Sequence, residues 1–177
     1  NRENFRIFIA TSTKQSEFMS ERRDIEIPVR ELPIDRLSPE DQELVAKAKE
    51  IVSGAYAPYS HFHVAAALRL ESGRIVLGTN QENASYPLGL CAERTALFQS
   101  GALYPDDPVT SLVIVGAKED GNIIKTCAPC GGCRQVMLEM ADRHHHPFPV
   151  ILAGPESALV VEDCRDLLPI NFDASSL

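Results

Sequence analysis

The stretches Cys91-Ala92-Glu93 and Pro129-Cys130-Gly131-Gly132-Cys133 decide how this sequence is interpreted. Cys130 and Cys133 are separated by two residues on a glycine-rich turn, so both thiolates can bind one metal ion. A third thiolate, from Cys91, leaves the fourth tetrahedral position open, and three protein ligands with an open position are typical of catalytic zinc. Both stretches stand where a helix is expected to begin, and a helix N-terminus favours the thiolate form. The pattern therefore predicts a Zn²⁺ site.

The residues that follow Cys91 suit the chemistry of such a site. Glu93 stands two positions after the first cysteine, where it could move a proton to and from a water at the open metal position. Three thiolates around Zn²⁺ leave a net negative charge, and Arg94 could offset it by a hydrogen bond to a cysteine sulfur. We therefore predict that Glu93 is the catalytic acid and base and that Arg94 supports the ligands.

Hydrophobic periodicity on both sides of these stretches predicts strands and helices in a mixed order. Strands are expected over 62–70, 75–77, 109–117, 150–152 and 159–161, and helices over 39–55, from Cys91 to Gly101 and over 131–143. The residues between the last two strands, 154–158, are too few for a parallel crossover, so those strands should be antiparallel. The predicted fold class is α/β, a three-layer α-β-α sandwich around a five-stranded mixed sheet.

The composition limits the class of protein. The chain has 177 residues, which fits one domain, and a formal net charge of −8. That charge argues against binding nucleic acid through counterion release, and no apolar run is long enough to span a membrane. The start of the sequence does not read as a secretory signal, so we expect the cytoplasm. A reducing compartment would leave the five cysteines free, catalytic or metal-bound.

Residues 1–37 show no sustained periodicity and are expected to be an N-terminal extension, partly flexible, before a domain over 38–177. Within the extension, the residues that precede Met19 look like an added or upstream segment. Residues 25–29 could form one short strand, which Pro28 would restrict to a sheet edge.

Four motifs connect the chain to a known family. They are Tyr56-Ala57-Pro58-Tyr59-Ser60, Asn80-Gln81-Glu82-Asn83-Ala84, Cys91-Ala92-Glu93-Arg94-Thr95-Ala96 and Pro129-Cys130-Gly131-Gly132-Cys133-Arg134-Gln135. Together they resemble the cytidine deaminase family, in its small homotetrameric form that acts on free nucleosides. The similarity runs from about Leu44 to Phe172 and leaves out residues 1–37.

The resemblance implies hydrolytic deamination of cytidine and deoxycytidine to uridine and deoxyuridine, with release of ammonia, in pyrimidine salvage. Cys91, Cys130 and Cys133 would bind Zn²⁺. Glu93 would protonate the ring nitrogen of cytosine while an activated water attacks the carbon that bears the amino group. The partner it implies is a small nucleoside, with no nucleic acid and no membrane.

The resemblance also implies substrate contacts from outside the zinc ligands. Asn80 and Glu82 would bind the ribose hydroxyls. Phe62 would line the base pocket, and the backbone of Ala92 would contact the pyrimidine edge.

Three further positions match residues that reach the ligand of a neighbouring subunit in the family. They are Ala84, Tyr86 and Phe172, of which the last would stack on a base. The resemblance therefore implies a homotetramer with composite active sites.

Several alternatives stay open at the level of sequence. A deaminase of another amino-heterocycle nucleoside would share the fold, although Asn80 and Glu82 favour a substrate that carries ribose. A deaminase that edits nucleic acid is disfavoured by the net charge and by the lack of a His-x-Glu ligand pair. A non-catalytic zinc module would need no Glu93 and would close the fourth metal position.

Cys127 adds another alternative, because it lies outside the family's ligand pattern. With Cys130 and Cys133 it gives a spacing that also suits an iron–sulfur cluster, but that interpretation leaves Glu93 and Arg94 unexplained.

Overall fold

The computed structural model describes residues 22–177, and six strands in this range form one sheet. The strands are β1 (Val29–Pro33), β2 (His63–Leu70), β3 (Ile75–Thr79), β4 (Val109–Ala117), β5 (Val150–Ala153) and β6 (Ser157–Val161). Their order across the sheet is β1-β6-β5-β4-β2-β3. β4 and β5 are parallel and all other neighbours are antiparallel, so the predicted mixed sheet and its antiparallel last pair are confirmed.

The sheet has six strands, so the prediction of five was wrong. The additional strand, β1, pairs with β6 at the sheet edge, from Val29 opposite Val161 to Pro33 opposite Ser157. The sequence predicts an edge strand over 25–29, whereas the strand begins only after Pro28. Its side chains are at most partly buried, so the hydrophobic pattern is too weak to locate it. β1 lies within the residues assigned above to an extension, and the start of the domain stays a prediction.

Three α-helices are present in residues 22–177: α1 (Pro39–Ile51), α2 (Ala92–Leu103) and α3 (Gly131–His144). The first begins as predicted, since Ser38 Oγ accepts a hydrogen bond from the Asp41 amide at 3.1 Å and caps it. It ends earlier than predicted and continues as a 3₁₀ turn over Val52–Gly54. None of the helices in these residues has the length and apolar character needed to cross a membrane.

Two separate hydrophobic clusters lie on the two sides of the sheet. On one side, Leu44 of α1 packs with Ala65 and Ala67 of β2, whose small side chains let the helix approach closely. On the other side, Leu97 of α2 and Met137 of α3 share a cluster with the alternate residues of β2. Helices therefore cover both faces of the sheet.

α2 does not end at Gly101, contrary to the prediction, and runs on to Leu103. Gly101 faces α3 instead. A Cβ built on it would lie 3.4 Å from Arg143 Nη1 and 3.9 Å from the Met140 methyl carbon. The glycine is therefore a small residue at a helix contact, not a stop signal.

Gly78 of β3 allows α2 to lie directly against the sheet. A Cβ at this position would stand 2.6 Å from the Ala92 carbonyl oxygen and 2.6 Å from the Ala96 backbone nitrogen. Both atoms belong to the helix backbone, which cannot move aside as a flexible side chain would. The lack of a side chain at Gly78 therefore sets the distance between β3 and the first turn of α2.

We predict that Gly78→Ala lowers the free energy of unfolding by about 1–3 kcal/mol, since overpacking at this contact must push α2 away from β3. Urea denaturation measures the change. Gly54→Ala is the matched control, because a Cβ at Gly54 meets nothing within 4 Å. Equal loss of stability in the two variants would contradict the close contact.

Candidate active site

The sulfur atoms of Cys91, Cys130 and Cys133 lie within 4.8 Å of one another and form a group that could hold a metal ion. The Sγ–Sγ distance is 3.7 Å from Cys91 to Cys130 and 3.5 Å from Cys130 to Cys133. A tetrahedral Zn²⁺ with Zn–S bonds of about 2.3 Å holds its sulfurs about 3.8 Å apart. The three thiols therefore fit zinc in spacing as well as in chemistry.

Two helices present these sulfurs at their first turns. Cys91 is the N-cap residue of α2 and Cys130 is the N-cap residue of α3, while Cys133 follows within the first turn of α3. Neither N-cap side chain hydrogen-bonds to the backbone of its own helix. The positive ends of both helix dipoles point at the sulfurs and favour their thiolate forms.

Hydrogen bonds between the sulfurs shift the pKa values of Cys91 and Cys133 in opposite directions. The hydrogen bond with Cys133, helped by Arg94, lowers the pKa of Cys91 to about 5. The same contact raises the pKa of Cys133, and burial adds to the rise. Cys91 is thus more readily ionised than Cys133.

Arg94 lies where the sequence predicted a supporting residue. Its Nη2 is 3.5 Å from Cys91 Sγ and 3.4 Å from the carbonyl oxygen of Gly89. Its Nε is buried and has no hydrogen-bond partner among the described residues. A guanidinium with donors to spare beside three thiols suits a site that carries negative charge.

Glu93 is buried in the first turn of α2, with only 3% of its surface exposed. Burial raises the pKa of Glu93, and the negative charge of Cys91 raises it further. A shift in this direction brings a carboxyl group closer to the pKa at which it can both take and give a proton, which is what general acid–base catalysis requires. The position next to the sulfurs suits the predicted role, and that role stays a prediction.

A cavity of about 360 Å³ opens beside the first cysteine and is lined by both Cys91 and Ala92. Four other residues predicted to contact substrate also line it: Phe62, Asn80, Glu82 and Tyr86. The structure therefore brings most of the predicted site together in one chain. The remaining lining residues were not predicted as substrate contacts; they are Ser60, Val64, Gln81, Gly89 and Leu90. Ser60 and Gln81 stand inside two of the quoted motifs, which was the only signal that could have found them.

The side chain of Asn80 holds the strand that forms one wall of this cavity. Its Oδ1 accepts a hydrogen bond from the Val64 amide at 2.8 Å, and its Nδ2 donates to the Phe62 carbonyl oxygen at 2.9 Å. An amide side chain has further donor and acceptor capacity beyond these two bonds. Asn80 can therefore fix Phe62 and still contact a ligand.

Glu82 holds the neighbouring turn in a similar way. Its Oε2 accepts hydrogen bonds from the backbone amides of Tyr59 at 2.8 Å and Ser60 at 3.2 Å. The hydrogen bond from the Ser60 side chain, together with the one from the Tyr59 amide, lowers the pKa of Glu82. The carboxylate is therefore ionised and oriented before any ligand arrives.

The three residues predicted to reach a neighbouring subunit lie differently from one another. Tyr86 is 75% exposed, lines the cavity of its own chain and packs edge-on against Tyr59 with ring centroids 5.9 Å apart. Ala84 and Phe172 are not among the residues that line this cavity, and Phe172 is 60% exposed. Within one chain, then, the aromatic ring of Phe172 is available to another molecule.

Cys127 lies near the site but outside the group of three sulfurs. A Cβ added to Gly116 would come within 2.9 Å of the Cys127 Cβ and 3.1 Å of the Phe62 ring. Burial raises the pKa of Cys127 to about 11, and the charges of Glu93 and Cys91 contribute. The thiol is therefore neutral and packed behind the pocket wall, a placement that the iron–sulfur alternative does not explain.

Comparison with known proteins places the chain in a family. Residues 38–145 match the family model described as the cytidine and deoxycytidylate deaminase zinc-binding region. The chain therefore belongs to this family of zinc-binding deaminases, whose cofactor is Zn²⁺.

Individual relatives agree with the family assignment. A cytidine deaminase from Halalkalibacterium halodurans is 38% identical over 136 residues, which cover 77% of this chain and 96% of the relative. The crystal structure of cytidine deaminase from Burkholderia pseudomallei is 38% identical, with a TM-score of 0.63, over 74% of this chain and 98% of that chain. A blasticidin-S deaminase from Bacillus cereus is 27% identical, over 77% of this chain and 94% of the relative.

The zinc content of cysteine variants should distinguish the three grouped cysteines from Cys127. We expect Cys130→Ser to lose most of its bound zinc and the zinc-dependent rise in melting temperature, because it removes one of three sulfurs spaced for one ion. Atomic absorption and thermal unfolding with and without zinc measure both effects.

Cys127→Ser is the matched control, since this nearby thiol is not part of the group. It should keep its zinc. Loss of zinc from Cys127→Ser, or iron in the purified protein, would contradict the assignment of ligands.

Proposed function

We propose that this chain catalyses the hydrolytic deamination of cytidine and deoxycytidine to uridine and deoxyuridine, in pyrimidine salvage. The observation that carries the proposal is the position of Glu93, a buried carboxyl group beside three thiols spaced for one metal ion. A cavity large enough for a nucleoside opens at the same helix N-terminus.

The proposed mechanism gives the residues of the two helix N-termini distinct tasks. Cys91, Cys130 and Cys133 would hold Zn²⁺, which when bound supplies the Lewis acidity that activates a water at neutral pH. Glu93 takes one proton from the attacking water and delivers it to the ring nitrogen, where it stays. It then carries the second proton of that water, which is now the hydroxyl on the ring carbon, to the amino group; the C–N bond breaks, ammonia departs and the C=O bond forms. Arg94 stabilises the thiolate of Cys91.

The walls of the cavity support a nucleoside as the substrate. Phe62 offers an aromatic ring to the base, the backbone of Ala92 offers polar groups to its edge, and Asn80 and Glu82 offer an amide and a carboxylate to the ribose hydroxyls. None of the described residues that line the cavity is Lys, Arg or His. A phosphate would meet no cation there and would be repelled by the ionised Glu82. We therefore infer free nucleosides, not nucleotides or nucleic acid.

We further propose a homotetramer in which neighbouring subunits complete each site. The exposed rings of Phe172 and Tyr86 support this proposal, and Ala84 lies in the same loop as Tyr86. The five cysteines are free thiols, which suits a reducing compartment, and we propose the cytoplasm.

A substrate panel tests the proposed reaction. We expect cytidine and deoxycytidine to be converted, as followed by ultraviolet absorbance, and deoxycytidine 5′-monophosphate to be rejected. Glu93→Gln should keep its zinc but lose about 10²–10⁴-fold in kcat, since the amide cannot carry the proton.

Two results of this experiment would contradict the proposed reaction. Conversion of blasticidin S but not of cytidine would favour the alternative, a deaminase of another amino-heterocycle nucleoside, which the similarity to the Bacillus cereus enzyme makes the natural competitor. If the protein contains zinc but converts none of the substrates, the remaining interpretation is a non-catalytic zinc module.

The composite site predicts that Phe172→Ala raises the KM for cytidine roughly tenfold while zinc content is unchanged, because stacking of a ring on a base contributes about 1–3 kcal/mol. Ile170→Ala, another exposed side chain in the same segment, is the control. Co-expression of Phe172→Ala with Glu93→Gln should restore sites with full affinity, since each subunit would supply what the other lacks. If Phe172→Ala behaves like the parent, or if the mixed assembly regains nothing, the sites are not composite.

A further inference from the structure

The side chain of Arg134 connects two segments that are distant in sequence. Its Nε donates a hydrogen bond to the Pro129 carbonyl oxygen at 3.0 Å, and its Nη1 donates to the Leu167 carbonyl oxygen at 3.1 Å. Pro129 immediately precedes Cys130, and Leu167 ends the 3₁₀ turn Cys164–Leu167, which packs on α3. One guanidinium thus bonds both the cysteine loop (residues 127–130) and the start of the C-terminal segment (residues 167–172).

The cysteine loop needs such an anchor more than the other ligand positions do. Cys133 is fully buried in α3 and Cys91 is half-buried, but Cys130 is exposed. Packing therefore fixes two of the grouped sulfurs and contributes little to the third. The bond from Arg134 to the carbonyl of the preceding residue restrains the backbone on which Cys130 stands.

The C-terminal segment has a second, separate anchor in the next residue of α3. Gln135 Nε2 donates a hydrogen bond to the Phe172 carbonyl oxygen at 2.8 Å. Residues 169–172 are exposed, so hydrogen bonds rather than burial hold this segment against the helix. This hydrogen bond is made by a different side chain from the one that bonds the cysteine loop, so the two anchors can be removed independently.

We propose that Arg134 is a positioning residue that fixes the loop carrying Cys130 and the segment carrying Phe172 relative to each other. Cys130 and Phe172 belong, respectively, to the zinc site and to the subunit contact of the proposed function, on which the second half of this inference rests. The first half, which concerns the hold on the metal, can be tested without any substrate.

The planar guanidinium group allows one side chain to hydrogen-bond to both segments. Its donors point in fixed, different directions, and the two carbonyl oxygens are reached by Nε and Nη1 at once. A lysine would keep the charge but offers a single nitrogen on a flexible stem. Lysine therefore separates the effect of the bridge from the effect of positive charge.

The experiment measures zinc transfer from the full-length protein to a chromogenic chelator. We expect release to be roughly tenfold faster in both Arg134→Met and Arg134→Lys, the lower end of the effect of removing groups that orient metal ligands. The visible spectrum of the cobalt-substituted protein should change in the same two variants, since it reports ligand geometry. Arg143→Met, an exposed arginine on the same helix, should release zinc at the parental rate.

Gln135→Leu tests the part of the proposal that concerns the C-terminal segment. It should leave zinc release and the cobalt spectrum unchanged and raise the KM for cytidine without lowering kcat, because only the C-terminal segment is loosened. Arg134→Met should show both effects together.

Three results would overturn the proposal. Parental zinc release in Arg134→Met, or in Arg134→Lys where the methionine variant does not fold, would show that the bridge does not hold the cysteine loop. Parental release in Arg134→Lys combined with fast release in Arg134→Met would assign the effect to charge. Faster zinc release in Arg143→Met as well would show that the effect in the Arg134 variants comes from a general loss of stability. Failure to deaminate cytidine would defeat the proposed function and leave the zinc measurements intact.

Discussion

Helices α2 and α3 begin at the same point in space, and the site depends on this convergence. The two helices follow different strands, yet Cys91 and Cys130 at their N-caps bring their sulfurs to 3.7 Å from each other. The sheet enforces the position of α2 through Gly78, which lets the helix backbone lie directly on β3. For α3 the constraint comes partly from Arg134, which bonds the loop in front of the helix. A shift of either helix by about an ångström would take the sulfurs out of the spacing that a tetrahedral metal accepts.

Two polar residues in the wall of the cavity have both a structural role and a proposed binding role. Asn80 and Glu82 hydrogen-bond backbone groups of the segment that contains Phe62, so the groups proposed to bind ribose also shape the surface on which a base would rest. Side chains locked by such bonds pay little entropy when a ligand binds. A substitution at Asn80 would therefore disturb the base pocket and the sugar contacts together, and a loss of affinity there could not be assigned to one hydroxyl alone.

Periodicity and spacing predicted most of the elements and the group of three sulfurs, because buried strands, helix caps and chelating cysteines leave strong local signals. β1 was misplaced because its side chains are at most partly buried and its pairing uses backbone groups. Gly101 was mistaken for a stop because a glycine at a helix contact and one beyond a helix end look alike in sequence. The position of Cys127 behind the pocket wall depends on tertiary packing against Gly116, which no local pattern encodes.

The distribution of charge explains why a carboxyl group can work in so crowded a place. Glu93 is almost fully buried next to an ionised Cys91, and both facts favour its protonated form. The N-terminus of α2 and Arg94 favour the ionised forms of both Cys91 and Glu93, but at Glu93 the effect of burial is larger. Cys127 adds no charge, because burial keeps its thiol neutral. The environment thus separates the acidities of neighbouring groups, because it lowers the pKa of Cys91 and raises that of Glu93. This separation suits the proposed mechanism, in which Cys91 stays ionised while Glu93 gains and loses a proton in each turnover.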